Sequence, residues 1–354
     1  MDRPRLYPPP NRPTPNSLSL AIIIPAHRDG APWRSCLRSL KRLDPPPAEL
    51  IVVDDGGPSS TVLPAVGEEA IILSWKGLTT GGGHGPAFSR NRGAAVAVAE
   101  VLLFLDSDVL VPPDLVQRVW QILAGPTAPA GVFGSYDTAP AEGLLSDYRN
   151  LLHHYTHQRG RREAFTFWAG CGAIRRSAFV QVGGFDERYR RASIEDIELG
   201  YRLRCAGHRI LLSPELQVTH LKRWRLGELL RTDTQQRARP WTLLVLQRGQ
   251  ADPDLNLRWT ERLSAAALLG ALGASSAALL LPRLWWLVLA LLVGLLIANL
   301  DFYRFLTRQR GIVFAMRAIP LHGLYFLCAA SGAVLGAFDW VMSGLRRASA
   351  DRLH

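Results

Sequence analysis

The chain has 354 residues, of which 48% are hydrophobic and 20% charged. This balance excludes an intrinsically disordered chain and also a protein embedded in lipid along its whole length. The formal net charge of +11 is a feature of many nucleic-acid-binding proteins, but the sequence has no zinc-finger spacing and no aromatic-basic RNA motif. We therefore expect no nucleic-acid partner, and a composite chain with a globular part and membrane segments.

The N-terminal segment, residues 1–17, is rich in proline and polar residues. Such a composition favours an extended chain and predicts a disordered tail. The segment has no apolar core of the kind found in secretory signals. We therefore expect the globular part to stay in the cytoplasm.

Between residues 18 and 241, short apolar runs alternate with segments of helical character. Strands are predicted at Leu20–Pro25, Leu50–Val53, Ile71–Ser74 and Val101–Leu105, and helices at Trp33–Leu43 and Pro86–Glu100. Continuous apolar strands separated by helices are typical of a mostly parallel sheet that is covered on both faces. The predicted fold class is therefore α/β.

Polar residues stand at the carboxyl ends of three of these strands. They are residues 27–29 after the first strand, Asp54 and Asp55 after the second, and residues 106–108 after the strand that ends at Leu105. In sheets of this type, ligands bind in the crevice beyond the carboxyl ends of the strands. We therefore expect these acidic groups to converge on one site.

Asp106 and Asp108 stand two positions apart, just beyond a buried strand. If the backbone stays extended there, both carboxylates point the same way. Two carboxylates in a cleft suit Mg²⁺ or Mn²⁺ held jointly with substrate phosphates. Two solvated acids at a turn give the same spacing, so the pair alone leaves both interpretations open.

A glycine-rich loop, residues 81–85, precedes Pro86, a residue well suited to the first turn of a helix. A glycine loop ahead of a helix exposes backbone amides to an anion. Arg90 and Arg92 on the predicted helix are placed to reach a diphosphate. A flexible connector is the alternative interpretation.

Seven motifs follow one another along the globular part: IIIPAHRDG, IVVDDGG, SRNRG, FLDSD, GCGAIRRSAF, GGFDE and IEDIELGYRLRCAGHRI. As an ordered set they resemble family 2 glycosyltransferases, which are inverting enzymes with a GT-A fold. The resemblance implies a nucleotide-diphosphate sugar donor. It also implies that Asp55 contacts the nucleotide base, that Pro25 and Asp54 line the same pocket, and that Arg90 lies near the nucleotide.

The same resemblance implies a metal site and a catalytic base. Asp106 and Asp108 are similar to the metal-bridging pair of the family, and His220 is placed like a third ligand. An imidazole beside two carboxylates favours Mn²⁺ over Mg²⁺. Asp196 resembles the catalytic base, although its place in the first turn of a predicted helix would by itself explain an acid there.

Four further residues are candidate contacts to the acceptor or to the transferred sugar: Trp168, Gly170, Glu195 and Trp241. Aromatic faces suit the apolar surface of a sugar ring, and core packing explains them equally well. The Q-x-x-R-W motif of processive synthases is interrupted, because Pro240 stands between Arg239 and Trp241. This interruption favours transfer of one sugar over polymerisation.

Long apolar stretches dominate the C-terminal part of the chain. The pattern predicts a juxtamembrane segment at 242–263, a hairpin of two membrane spans at 264–300, an interfacial amphipathic helix at 301–317, a third span at 318–340 and a basic tail at 341–354. Buried helices are the alternative. Three crossings place the basic tail outside, against the positive-inside tendency, so the third crossing stays open.

Together these features predict a multi-pass membrane enzyme with a cytoplasmic catalytic domain. It would transfer one sugar to a lipid or polyprenyl-linked acceptor with the help of Mn²⁺ or Mg²⁺. A polysaccharide synthase and a catalytically inactive membrane scaffold of the same fold are the alternatives. The sequence leaves the oligomeric state open.

Overall fold

The computed structural model describes residues 18–69, 75–249, 255 and 258–350. Within these residues one mixed sheet of nine strands forms the globular part. The strands are β1 Leu20–Ala26, β2 Glu49–Asp54, β3 Trp75–Thr79, β4 Val101–Leu105, β5 Val109–Leu110, β6 Gly131–Tyr136, β7 Glu163–Ala164, β8 Cys171–Arg175 and β9 Ile210–His220. The strand predicted at Ile71–Ser74 lies outside the described residues.

Four strands, in the order β3-β2-β1-β4, run parallel, and β8 follows antiparallel beside β4. Ala26 at the end of β1 stands opposite Asp54 at the end of β2, and Ile23 stands opposite Phe104 of β4. The carboxyl ends of these strands therefore share one edge of the sheet. The prediction of a mostly parallel α/β sheet is confirmed.

Helices cover both faces of the sheet, as the apolar strands require. Ile22 and Ile24 of β1 belong to one buried apolar cluster, while Ala21 and Ile23 belong to another on the opposite face. The covering helices are α1 Ala31–Leu40, α2 Val62–Glu68, α3 Pro86–Val96, α4 Leu115–Leu123, α5 Leu144–Gln158, α6 Arg176–Gln181 and α7 Glu195–Cys205.

Helix α3 ends four residues before the predicted boundary at Glu100. The Glu49 carboxylate accepts hydrogen bonds of 2.9 Å from the amides of Val98 and Ala99. In a longer helix these amides would donate to backbone carbonyls one turn earlier. The Glu49 carboxylate accepts their hydrogen bonds instead. The chain therefore leaves the helix before β4.

The C-terminal part is helical. It contains α8 Leu226–Arg231, a π-helical segment Thr232–Ala238, α9 Arg239–Arg248, α10 Trp259–Ala278, a 3₁₀ turn Pro282–Leu284, α11 Trp285–Ala298, α12 Leu300–Arg310 and α13 Ile312–Ala350. Within the described residues, Ile312–Arg346 is long and apolar enough to cross a membrane. The segment Pro282–Ala298 is long and apolar enough to cross a membrane only if it is taken together with α12, and the two are bent by 57° relative to each other.

Helix α12 differs from the predicted interfacial helix at 301–317. It ends at Arg310, because Gly311 has a positive φ of 85° and starts a new direction. Residues 312–317 belong to α13, which also contains the third predicted span at 318–340. Phe302 and Leu306 of α12 belong to one buried apolar cluster with Tyr148 of α5 and Ala318 of α13.

Gly332 and Gly336 place α13 directly against the backbone of the preceding helical segments. A Cβ at Gly332 would collide with Ala238, and one at Gly336 would collide with the Arg239 carbonyl. The Arg239 guanidinium also pairs with Asp339 of α13, with N–O distances of 2.6 and 2.9 Å. The G-x-x-x-G spacing of these two glycines permits the close packing, and the partner is the segment 232–248.

We expect Gly336→Ala to lower the free energy of unfolding by about 1–3 kcal/mol, because the new methyl group overpacks this contact. Gly344 provides a matched control, since it lies on the same helix with open space around it. Gly344→Ala is expected to be neutral or stabilising by about 0.5–1 kcal/mol, the ordinary gain of alanine in a helix. Thermal unfolding of the full chain in detergent compares the two. Equal stability of both variants would contradict the packing.

Candidate functional site

The Asp55 carboxylate holds the glycine-rich loop at the edge of the sheet. It accepts hydrogen bonds from the Gly85 amide at 2.7 Å, from the His84 amide at 3.2 Å and from the Thr80 hydroxyl. Burial raises the pKa of Asp55, but these hydrogen bonds outweigh it and hold the pKa below its usual value. Much of the carboxylate is therefore engaged within the protein.

The loop amides are also engaged within the protein. The amide of Gly82 donates to the Thr80 hydroxyl at 3.2 Å, and the amide of Gly83 donates to the Asp55 carbonyl at 3.3 Å. The loop therefore does not present the open row of amides that its sequence indicated. Nearby, Asp54 is buried and accepts from the Gly56 amide at 2.8 Å, and Pro25 stands in β1 beside β2.

Arg90 joins two carboxylates from distant parts of the chain. Its guanidinium bonds to the Asp106 carboxylate and to the Glu195 carboxylate, each at 2.9 Å. Glu195 also accepts from the Ser193 amide at 2.8 Å. The pairing fixes the end of β4 against the first turn of α7, the turn that carries Asp196.

Asp108 lies beside His220 because β5 pairs with the end of β9. Val109 stands opposite His220, and the His220 Nε2 atom is 3.7 Å from the Asp108 carboxylate. Burial lowers the pKa of His220 to about 4, with the Asp106 charge opposing the shift. The imidazole is therefore neutral at physiological pH, which is the form that binds metals.

The backbone turns at Ser107 and Asp108 instead of staying extended. As a result, the Asp106 carboxylate faces Arg90 while that of Asp108 faces His220. Within the described part of the chain, no three His, Cys, Asp or Glu side chains stand close enough together to hold a metal. Asp106, Asp108 and His220 have the donor atoms that Mn²⁺ or Mg²⁺ prefers, but the three side chains are not gathered into one cluster.

Asp196 stands in the first turn of α7 with its carboxylate held by backbone amides. Ala169 donates at 3.1 Å and Ile197 at 2.8 Å. Burial, followed by the charge of the neighbouring Glu195, raises the pKa of Asp196 to about 7. A carboxylate with this pKa is well matched to proton transfer near neutral pH.

Asp196 lines a small cavity of about 40 Å³ between the globular domain and the segment 232–248. Trp168 and Trp241, two of the predicted acceptor contacts, line it too. The other two predicted acceptor contacts, Glu195 and Gly170, do not line the cavity. Glu195 forms an ion pair with Arg90, and the Trp168 ring covers Gly170.

The lining residues that were not assigned from the sequence include Arg149, His153 and Arg237. Arg149, His153 and His157 follow one another at four-residue spacing on α5, a spacing that places them on one face of a helix. That spacing was the available signal. Arg237 comes from the π-helical segment and had no comparable signal, because only the tertiary fold brings it to the cavity.

Residues 21–183 match the family model described as glycosyl transferase family 2. The matched residues make up most of the globular domain, and this segment is similar in sequence to the family 2 glycosyltransferases. Over 226 residues it is 28% identical to validoxylamine A glucosyltransferase of Streptomyces hygroscopicus subsp. limoneus, covering 55% of this chain and 50% of that protein. Over 96 residues it is 38% identical to the N-acetylglucosaminyl-diphospho-decaprenol L-rhamnosyltransferase of Mycobacterium tuberculosis (strain CDC 1551 / Oshkosh), covering 27% and 31%. The chain thus spans half or less of the length of these relatives.

The globular domain has the GT-A fold. The structure is similar to a solved mannosyltransferase of Pyrobaculum calidifontis in complex with GDP-Man and Mn²⁺, with a TM-score of 0.55 and 17% identity over 93% of this chain and 89% of that one. At this identity the likeness bears on the fold alone. The sequence match and the fold therefore agree, and both are similar to glycosyltransferases.

Arg90→Ala is expected to lower the free energy of unfolding by about 3–5 kcal/mol, because it leaves the buried Glu195 carboxylate without its partner. Arg92→Ala is the matched control, since Arg92 is exposed on the same helix and stacks only on Phe88. Its expected cost is below about 1 kcal/mol. Denaturant unfolding of both variants measures the difference, and similar losses would contradict the bridging role.

Proposed function

We propose that this protein is a membrane-anchored, inverting glycosyltransferase that moves one sugar from a nucleotide-diphosphate donor to a lipid or polyprenyl-linked acceptor at the cytoplasmic face. The observation that carries the proposal is the position of Asp196. It lines an enclosed cavity, and the bond between Arg90 and Glu195 links its helix to the acidic edge of the sheet.

The donor would lie along the carboxyl edge of the sheet, near Pro25, Asp54 and Asp55. The acceptor would enter from the cavity side, where Trp168 and Trp241 offer aromatic faces. Asp196 would take the proton of an acceptor hydroxyl while the oxygen attacks the anomeric carbon from the face opposite the leaving diphosphate. In this arrangement the donor and the base would stand on opposite sides of the reacting carbon, as inversion requires.

Asp106, Asp108 and His220 are the residues that would hold Mn²⁺ or Mg²⁺. A bound cation would supply neutralising charge to the leaving diphosphate. Arg90 keeps the Asp106 carboxylate oriented at this edge. The burial of His220 keeps its imidazole free of a proton and therefore available as a donor.

Attachment to a membrane is supported by the apolar surface of the C-terminal helices. Large side chains stand exposed on consecutive elements, among them Leu280 at 85% and Trp286 at 75% exposure. Contiguous apolar surface of this kind marks contact with lipid or with another protein. The relative that acts on a decaprenol-linked molecule supports a lipid-linked acceptor. We further propose that the C-terminal helices cross the membrane more than once and that the catalytic domain lies in the cytoplasm.

Asp196→Asn is expected to reduce sugar transfer about 10²–10⁴-fold, because amide nitrogen cannot accept the proton. In the unchanged protein, kcat/KM with a hydroxyl acceptor should rise as the pH passes through about 7, since Asp196 is protonated below that value. Transfer of radiolabel from nucleotide sugars to membrane lipid extracts measures both. Exposed Asp301→Asn is the control, and equal incorporation by the Asp196 variant would refute the assigned base.

Chelation of divalent cations is expected to abolish transfer, and Mn²⁺ or Mg²⁺ should restore it. Asp108→Asn should weaken Mn²⁺ binding about 10–100-fold, as measured by electron paramagnetic resonance with a nucleoside diphosphate present. Asp114→Asn, which alters an exposed carboxylate paired with Arg118, should leave Mn²⁺ binding unchanged. Transfer that is indifferent to chelator would remove the metal from the proposal.

A further inference from the structure

The cavity beside Asp196 contains a cation that lacks a protein partner. Arg149 and Arg237 both line it. Arg149 pairs with the buried carboxylate of Asp233 at 2.7 Å. Among the described residues, no carboxylate lies within ion-pair distance of the Arg237 guanidinium and no residue hydrogen-bonds to it. Arg237 is half-buried, and a guanidinium in a cavity without an ion-pair partner is available to an anionic ligand.

His153 points to the same conclusion through a different property. Both of its ring nitrogens are buried and have no hydrogen-bond partner in the described part of the chain. His157, one turn later on the same helix, bonds through Nδ1 to the Gly134 carbonyl at 2.9 Å. Burial, followed by its neighbour His157, lowers the pKa of His153 well below its usual value. A neutral imidazole of this kind has one N–H to donate to a ligand oxygen.

We propose that Arg237, supported by Arg149 and His153, binds a phosphate group of the acceptor next to the Asp196 carboxylate. This inference rests on the proposed transferase function and specifies the chemistry of its acceptor. A guanidinium and an N–H donor match phosphate oxygens in both charge and geometry. Trp168 and Trp241 also line the cavity and would contact the apolar or sugar portion attached to the phosphate.

The test measures equilibrium binding to the full chain in nanodiscs, without any sugar donor, using farnesyl phosphate, farnesol and glucose 1-phosphate as probes. Farnesyl phosphate is expected to bind at least about tenfold more tightly than farnesol, because a charged hydrogen-bond network is gained. Arg237→Gln should remove most of this preference and Arg237→Lys should keep part of it. Arg231→Gln is the matched control, since Arg231 is exposed and lies outside the cavity.

Two outcomes would overturn the inference: no preference for farnesyl phosphate in the unchanged protein, or a preference that survives Arg237→Gln. Displacement of farnesyl phosphate by glucose 1-phosphate at similar concentration would support the phosphate site and identify a water-soluble acceptor. Failure to displace it would support a lipid phosphate. The binding test contains no sugar donor and is therefore independent of the radiolabel transfer assay. A preference for phosphate in the binding test, together with no sugar transfer in the radiolabel assay, would refute the proposed function alone. Sugar transfer that depends on Asp196, without a phosphate preference, would refute this inference alone.

Discussion

The Arg90 guanidinium sets the distance between the two halves of the site. On one side it binds Asp106 at the end of β4, and on the other it binds Glu195 in the first turn of α7. One cation therefore serves two carboxylates, and the third acid of the group, Asp196, is left with backbone amides and a raised pKa. Arg90 thus orders the acidic edge of the sheet, while burial and the Glu195 charge raise the pKa of Asp196 to about 7 against the opposing charge of Arg90.

The sequence was informative wherever function and fold depend on local pattern. Apolar runs located β1, β2 and β4, and the acidic residues after them marked the edge where the site lies. The sequence could not show that the chain turns at Ser107, because D-x-D occurs in extended and turned backbone alike. It also could not place Arg237 beside Arg149, since residues far apart in the chain meet only through tertiary packing.

Acids that bind ligands and acids that shape turns look alike in a sequence. Asp29 and Asp55 both follow strands of the parallel sheet, as ligand-binding residues do. In the folded chain Asp29 pairs with Arg34 at the start of α1, and Asp55 holds the glycine-rich loop. The difference lies in hydrogen bonds to residues that only the loop conformation brings near, so composition and spacing cannot separate the two roles.

Gly332 and Gly336 leave α13 touching the backbone of the segment 232–248 with no side chain between them. That segment carries Arg237 and Trp241, which form part of the cavity wall. No side chain lies between the two backbones to absorb a shift. A change in the tilt of α13 would therefore move the segment 232–248 and, with it, Arg237 and Trp241. If α13 crosses the bilayer as proposed, the thickness of the surrounding lipid changes the tilt of α13. Bilayer thickness would then alter the shape of the cavity that receives the acceptor.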